Sequence, residues 1–554
     1  MSQQQFDLRV SGMTCPNCSQ HVTQALKAVP GVRRVDLTGW QTPRATVIAD
    51  EGVAPNALTA AVEAAGYSAT VQGQHPLPAL PQASNADGAG RDSDLIVVGG
   101  GSGAFAAAIA ASDLGARVAM INAGTIGGTC VNVGCIPSKA LIRAAGAWHA
   151  AGHHPFRGVG TAQVKLDWPA LRAQKDELVA GLRQRKYVDV LAAYPNITYV
   201  EGRASFHADG AIHVGERSYA ANRYVIATGA QPRRLPLPGL AEAQPLDSTT
   251  LMDLGQLPKS LIVLGGRAVA LELGQTLARL GVEVLILQRS TRLIPEHEPE
   301  IGRAIQDYLE REGIGVLTGV QVARLGREGE TRVVHAQVMG QPRQFRADQI
   351  LMALGRQPNT RDLGLEHVGV RVDGNGAIIV DAYLQTSNPA LYATGDATTN
   401  PEFVYVAAAG GTLAARNALT DVRQALDLSA MPTVIFTDPQ VAMVGLTEAQ
   451  ARRQGYQVNV STIGLEHVPR AQAAHDTRGL IKLVAETATG RLLGAHVLAA
   501  EGGEVIQAAA LAVKFGLTTD DLTNTLFPYL TQVEGLKLAA QAFTRDVAKL
   551  SCCA

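Results

Sequence analysis

Apolar and polar positions change period several times along the chain, and each change marks an element. Residues 6–10 alternate as a half-buried strand does. A helical spacing follows over 19–29, Pro30-Gly31 makes a turn, and 32–37 and 45–49 read as strands. Residues 56–65 read as a helix closed by Gly66. The predicted order strand–helix–strand–strand–helix–strand is a ferredoxin-like α+β sandwich. Period is then lost over 71–92, where QGQHPLPALPQASNADGAGR is rich in Pro, Gly and Ala and predicts a flexible linker. From 95 to 112 the chain carries no charge, yet three consecutive glycines interrupt the run. Small residues in place of Leu and Phe predict a buried strand, a loop and a helix there, and not a membrane span. A strand at 117–121 comes next. The same strand–glycine–helix pattern returns at LIVLGGRAVALELGQTLARL, with a strand at 284–287 behind it. Two such units predict an α/β chain with two Rossmann-like domains.

Composition narrows this little. The 554 residues allow several domains, and 48 basic against 49 acidic residues argue against general nucleic-acid binding. The start MSQQQFDLRV lacks a basic segment leading into an apolar one, so no signal peptide is expected. Cysteine changes the picture. The six fall into three close pairs, Cys15/Cys18, Cys130/Cys135 and Cys552/Cys553. With no export signal, such pairs point to metal binding or redox work. Adjacent thiols at a terminus make a poor structural disulfide.

Each motif has its own chemistry. In GMTCPNC, Cys15 falls in a loop and Cys18 at a helix start, where the helix N-terminus favours a thiolate. Two soft thiolates with no third ligand suit a soft metal of low coordination; zinc asks for four ligands. A thioredoxin-like redox pair is the alternative, although the strand order differs. Gly99, Gly101 and Ala104 occupy a G-x-G-x-x-A loop able to approach a pyrophosphate, and Asn122 stands where an acidic residue would meet the ribose. In the second loop, Gly265, Arg267 and Ala270 hold the fingerprint positions, with Arg267 in place of the central glycine. Gln288-Arg289, at the end of the next strand, suits the 2′-phosphate of NADP better than the free ribose of NAD.

Two resemblances follow. GMTCPNC in its module resembles the heavy-metal-associated domain. GGTCVNVGCIPSK, residues 127–139, just behind a flavin-type glycine loop, resembles the pyridine nucleotide–disulfide oxidoreductases. That second resemblance implies FAD and NADPH as cofactors. It implies that Cys130 is the interchange thiol, that Cys135 lies against the flavin, and that Lys139 sits near flavin N5. Gly128 and Thr129 belong to the same flavin segment. VIATGAQP, with Gly229, and LQTSNPALYATGDAT, with Asp396 for the ribityl chain, match further flavin motifs. Glu272 matches the glutamate that pairs with the lysine.

Substrate choice lies near the end. Reductases of small disulfides in this family carry a His-Pro acid–base group; this chain reads Phe527-Pro528-Tyr529. With GMTCxxC and the terminal pair, the pattern is similar to the members that reduce Hg(II) to Hg(0). The resemblance implies a cytoplasmic homodimer whose sites are shared, with Tyr529, Cys552 and Cys553 serving the neighbouring subunit. Low-molecular-weight thiols would carry the metal, with a mercury transporter or chaperone as donor. A tyrosine often found in relatives at the segment AEAQPLDST is replaced here by Pro245 and Leu246. The expected domains are a heavy-metal-associated module (1–70), the linker (71–92), a FAD-binding domain (93–239 and 358–427), an NADPH-binding domain (240–357) and an α+β dimerisation domain ending in the dithiol tail (428–554). A flavin-dependent reductase of a small disulfide and a non-catalytic soft-metal binder remain the alternatives.

Overall fold

The structure is a computed structural model and describes residues 3–14, 16–37, 44–50, 52–77, 93–161 and 165–549. Cys15, Cys552 and Cys553 therefore lie outside the described residues.

The first module has the expected element order. Strands Gln3–Ser11, Val32–Leu37, Arg44–Asp50 and Ser68–Leu77 form one antiparallel sheet in the order second, third, first, fourth. Helices Pro16–Lys27 and Pro55–Ala64 pack on it. Alternation explains the core: Phe6, Leu8 and Val10 of the first strand are all buried, against Val22, Leu26, Leu58 and Val62 of the helices. One boundary moves. The fourth strand runs to Leu77, seven residues beyond the predicted end of the module, because Gln3–Asp7 of the first strand pair with its far end. Backbone pairing there outweighs the weak strand signal of QGQHPL.

The described residues group into two compact units: those within Met1–Gly128, Tyr187–Ala230 and Pro358–Leu426, and those within Thr129–Lys186, Gln231–Gln357 and Asp427–Ala554. In the first, a parallel sheet runs Leu391–Ala393, Arg223–Ile226, Leu95–Val98, Val118–Asn122, Ile197–Glu201. Leu95–Val98 is buried at every position, as a strand covered on both faces must be. Helix Ser102–Asp113 follows its glycine loop and packs closely on helix Val404–Leu419. A Cβ at Gly411 would stand 2.1 Å from the Gly103 carbonyl oxygen, and one at Gly103 would stand 3.0 Å from the Ala407 oxygen. The alanine-rich composition of both helices is thus a demand of their contact.

The second unit holds the parallel sheet Gly315–Leu317, Glu283–Leu287, Ser260–Leu264, Gln349–Met352, with helix Ala268–Arg279 against it. It also holds a five-stranded antiparallel sheet made by Thr433–Ile435, Gln440–Gly445, Leu492–Ala499, Leu480–Glu486 and Val458–Gly464. The segment 129–186, expected with the flavin domain, groups with this unit instead. Its Leu141, Ala145 and Trp168 join one core with Leu251, Met252, Leu271 and Leu277, and the Trp168 indole N–H donates to the Leu254 carbonyl at 2.8 Å. No helix of the described residues is long and apolar enough to cross a membrane.

The helix pair carries a prediction. Gly411→Ala forces two backbones apart and is expected to destabilise the first unit by about 1–3 kcal/mol. Gly146→Ala, in a helix with open space around it, is expected to be neutral or slightly stabilising. Thermal denaturation followed by flavin fluorescence compares the two; equal melting temperatures would show that the close contact is not made.

Candidate functional site

Cys130 lies in the short helix Gly128–Val133, and Cys135 is the first residue of helix Cys135–Gly152. Gly134 is the break between them. Both thiols are free and within reach of a mutual hydrogen bond. Cys130 donates its proton to Cys135, which holds the Cys135 thiol down to about 7; the charge of Lys139 helps, and burial opposes. The same bond and burial push Cys130 far up. The hydrogen bond therefore favours ionisation of Cys135 over Cys130.

Lys139 is one helical turn past Cys135, on the same face. Its ammonium meets the Glu272 carboxylate at 2.7 Å and stands 4.6 Å above the Phe436 ring. The other Glu272 oxygen accepts the Phe436 backbone N–H at 2.9 Å. Gln275 and Arg279 continue the same face of helix Ala268–Arg279. Gln275 exchanges hydrogen bonds with the Asp438 backbone at 2.8 and 2.9 Å, and Arg279 pairs with Glu312 at 2.7 Å and Asp438 at 2.8 Å. Sequence reading paired Glu272 with Lys139 but missed Phe436, Gln275 and Arg279. The signal for the last two was present, since they are polar residues at i+3 and i+7 on an otherwise buried helix.

The first glycine loop fits a dinucleotide. Gly99 has φ +136°, and a Cβ there would lie 2.2 Å from the Ala227 oxygen. Gly128 has φ +63° and would press its Cβ to 2.6 Å from the Gly101 Cα. Gly101 precedes helix Ser102–Asp113, whose first turn no side chain caps, and Ala104 is fully buried behind it. The Thr228 hydroxyl, beside Gly229, is buried with no hydrogen-bond partner among the described residues. That is an orphaned polar atom of the kind a bound group satisfies. Asp396 sits half-buried in the short helix Gly395–Ala397. Asn122 donates to the Gly124 carbonyl at 2.6 Å and the Tyr199 hydroxyl at 3.0 Å, so its amide nitrogen braces the loop and only its oxygen is left to face a ribose.

The second loop answers the question of Arg267. Its backbone is extended, φ −116° and ψ −170°, a conformation open to any residue, and its guanidinium is 66% exposed, 3.5 Å from Glu296. Gly265, at φ +120°, has no such freedom, because a Cβ would meet the Ala353 oxygen at 2.4 Å. Ala270 is buried. Gln288 is buried against Gly266 and bonds the Arg289 N–H at 3.2 Å, while Arg289 is exposed at the strand end.

Thr129 accepts a hydrogen bond from Arg356 at 3.3 Å. Cys18 is in the first turn of helix Pro16–Lys27, buried, with the Thr14 hydroxyl 4.0 Å away. Tyr529 is half-exposed in the segment between helices Thr519–Asn524 and Glu534–Gln541. Its neighbour Leu530 holds φ +65°, and burial pushes the nearby Glu534 carboxyl above the ordinary carboxylate range. Leu246 is tied into the sheet by bonds with Ile350 at 2.7 Å and Met352 at 2.8 Å.

Comparison with known proteins decides the family. The pyridine nucleotide-disulphide oxidoreductase model matches residues 93–411, its dimerisation domain matches 431–540, and the heavy-metal-associated domain matches 7–68. The chain belongs to the pyridine nucleotide-disulphide oxidoreductases. It is 42% identical to the mercuric reductase of Staphylococcus aureus over 554 residues, covering 100% of both chains. It is 49% identical to that of Streptomyces lividans over 468 residues, covering 83% of this chain and 98% of the relative. Among solved structures it is similar to the Cu(II) complex of the HOCl-induced flavoprotein disulfide reductase RclA from Escherichia coli. The TM-score is 0.73 and the identity 29%, over 81% of this chain and 99% of that one.

The thiol pair gives a pH prediction. Because Cys135 is lowered, its thiolate persists above about 7 and is lost as pH falls through that value. Cys130→Ala removes the largest cause and should move the midpoint up by more than one pH unit, toward the ordinary thiol value. Cys130→Ser keeps an O–H donor and should move it less. Thiolate ultraviolet absorbance against pH in the reduced protein reads this; identical midpoints in all three would show that Lys139 and the helix alone set the acidity.

Proposed function

We propose that the chain acts as an NADPH-dependent mercuric reductase, taking Hg(II) from thiol carriers and releasing Hg(0). The observation that carries this reading is full-length similarity to curated mercuric reductases in a chain with Phe527-Pro528-Tyr529 in place of the His-Pro acid–base group. A disulfide substrate needs a proton delivered to its leaving thiol; a metal held by thiolates needs successive pairs of soft ligands.

The net reaction balances as Hg(SR)2 + NADPH + H+ → Hg(0) + NADP+ + 2 RSH. Bound FAD supplies two-electron transfer from the nicotinamide to the cysteine site. The Gly99–Gly101 loop would hold its pyrophosphate, Asp396 its ribityl chain, and Lys139 would stand near its reactive ring edge. NADPH fits the loop of Gly265, Arg267 and Ala270, with Arg289 on the 2′-phosphate. Cys130, the interchange thiol, takes the first bond to the metal, passing its proton to Cys135. When Cys135 takes the second, that proton goes to the departing carrier thiolate, so the shared proton does the work a histidine would do elsewhere. Lys139 offsets the negative charge that gathers as electrons arrive.

The dimerisation domain supports a homodimer. We place Tyr529 and the Cys552/Cys553 tail of the partner subunit at each site, and Cys15/Cys18 as a tethered donor that raises local metal supply. Thiol-borne substrate and NADPH fit a cytoplasmic enzyme.

NADPH oxidation, followed with and without Hg(II) in excess thiol alongside Hg(0) release, tests the reading. Cys130→Ala and Cys135→Ala are expected to lose Hg(II) reduction while keeping flavin; normal turnover in either, or faster turnover with an organic disulfide, sinks it. Deleting residues 1–92 should leave activity intact when thiols are plentiful and lower it when they are scarce. Loss at every thiol concentration would place the first module inside the catalytic fold.

A further inference from the structure

The second glycine loop holds an arrangement that the family fingerprint does not describe. Gly265 and Gly266 cannot carry side chains: a Cβ on Gly266 would lie 2.7 Å from a Leu293 methyl and 3.0 Å from the Gln288 Cβ. Arg267 can, and its guanidinium turns to Glu296. Glu296 does not reach that position by chance flexibility. The Ile294 N–H donates to the Gly266 carbonyl at 2.9 Å, and the His297 N–H donates to the Ile294 carbonyl at 3.0 Å. Arg292 donates to the Pro295 carbonyl and, at 3.3 Å, to that of His297. Glu298, two residues on, is buried and bonded to Lys482 at 3.0 Å. The loop that carries Glu296 is therefore fixed on both sides of it.

Charge and exposure decide what the pair is for. Both partners are partly exposed, 66% and 42%, so the pair holds the fold weakly. A guanidinium engaged that loosely exchanges readily for a phosphate, which it can bind through two parallel N–H donors. We propose that Arg267 is a direct ligand of the nucleotide pyrophosphate and that Glu296 is its competing counter-ion, displaced when the nucleotide binds. A side chain has taken over part of the work that close backbone approach does at a glycine. The pyrophosphate is common to both nicotinamide nucleotides, so this pair sets affinity for both alike, whereas Arg289 acts on the 2′-phosphate alone. The inference rests on reading this loop as the nucleotide site.

Calorimetric titration of the oxidised holoenzyme with NADP+ and with NAD+ is the test, with flavin content confirming the fold of each variant. Arg267→Ser should weaken both nucleotides roughly tenfold or more. Arg267→Lys should weaken them less, since the charge remains. Glu296→Gln should tighten both by roughly two- to fivefold, and much of that gain should vanish in the Arg267→Ser background. Unchanged or tighter binding by Arg267→Ser would show the arginine to be an obstruction. Weaker binding by Glu296→Gln would make the carboxylate itself a ligand. Either result overturns the proposal while leaving the loop a nucleotide site. Failure of the unmodified holoenzyme to bind either nucleotide would overturn both.

Discussion

A carboxylate that is almost out of water, Glu272, ties together the elements around the thiol pair. One oxygen takes the Lys139 ammonium, and the other takes the Phe436 backbone N–H. Three stretches of chain far apart in sequence are thereby fastened to one residue: the cysteine helix, the nucleotide-domain helix and the start of the dimerisation domain. Neither oxygen is left unsatisfied, as burial at that depth demands. The arrangement also fixes a positive charge, Lys139, that helps Cys135 to ionise. Removing Glu272 would leave Lys139 without its counter-charge and the Phe436 amide without its acceptor, and the electrostatics of the thiol pair would change with the packing.

Much of this was legible in the sequence because it is local. The glycine loops, the C-x4-C pair and the period-2 strands all report conformations that a few neighbouring residues impose. The Lys139–Glu272 pairing was legible only through family resemblance, since nothing within either segment points to the other. Phe436 had no signal at all. Its part in the site is a backbone N–H and a ring face, which any residue order could supply. The segment 129–186, expected with the flavin domain, was hard to place for a related reason. Its helices look alike from the sequence, and only the core formed by Leu141, Ala145 and Trp168 shows which unit they join. The end of the first module was missed because strand pairing, and not side-chain pattern, extends the sheet to Leu77.

The thiol pair shows how a soft-metal site differs from a disulfide site built on the same scaffold. A single proton shared between Cys130 and Cys135 keeps one sulfur nucleophilic and the other in reserve. In the proposed reaction, hydrogen bonding inside the pair stands in for a separate base.

The backbone of Arg267 has a consequence for how such proteins are recognised. Of the loop's glycines, the first is demanded by a dihedral angle and by a carbonyl oxygen in contact; the third position is in an extended conformation that every amino acid shares. The familiar glycine there is a statement about clearance above the loop, and clearance can be traded for charge. A search pattern that insists on glycine at that position would pass over this chain, while one that scored the first glycine strictly and left the third open would find it.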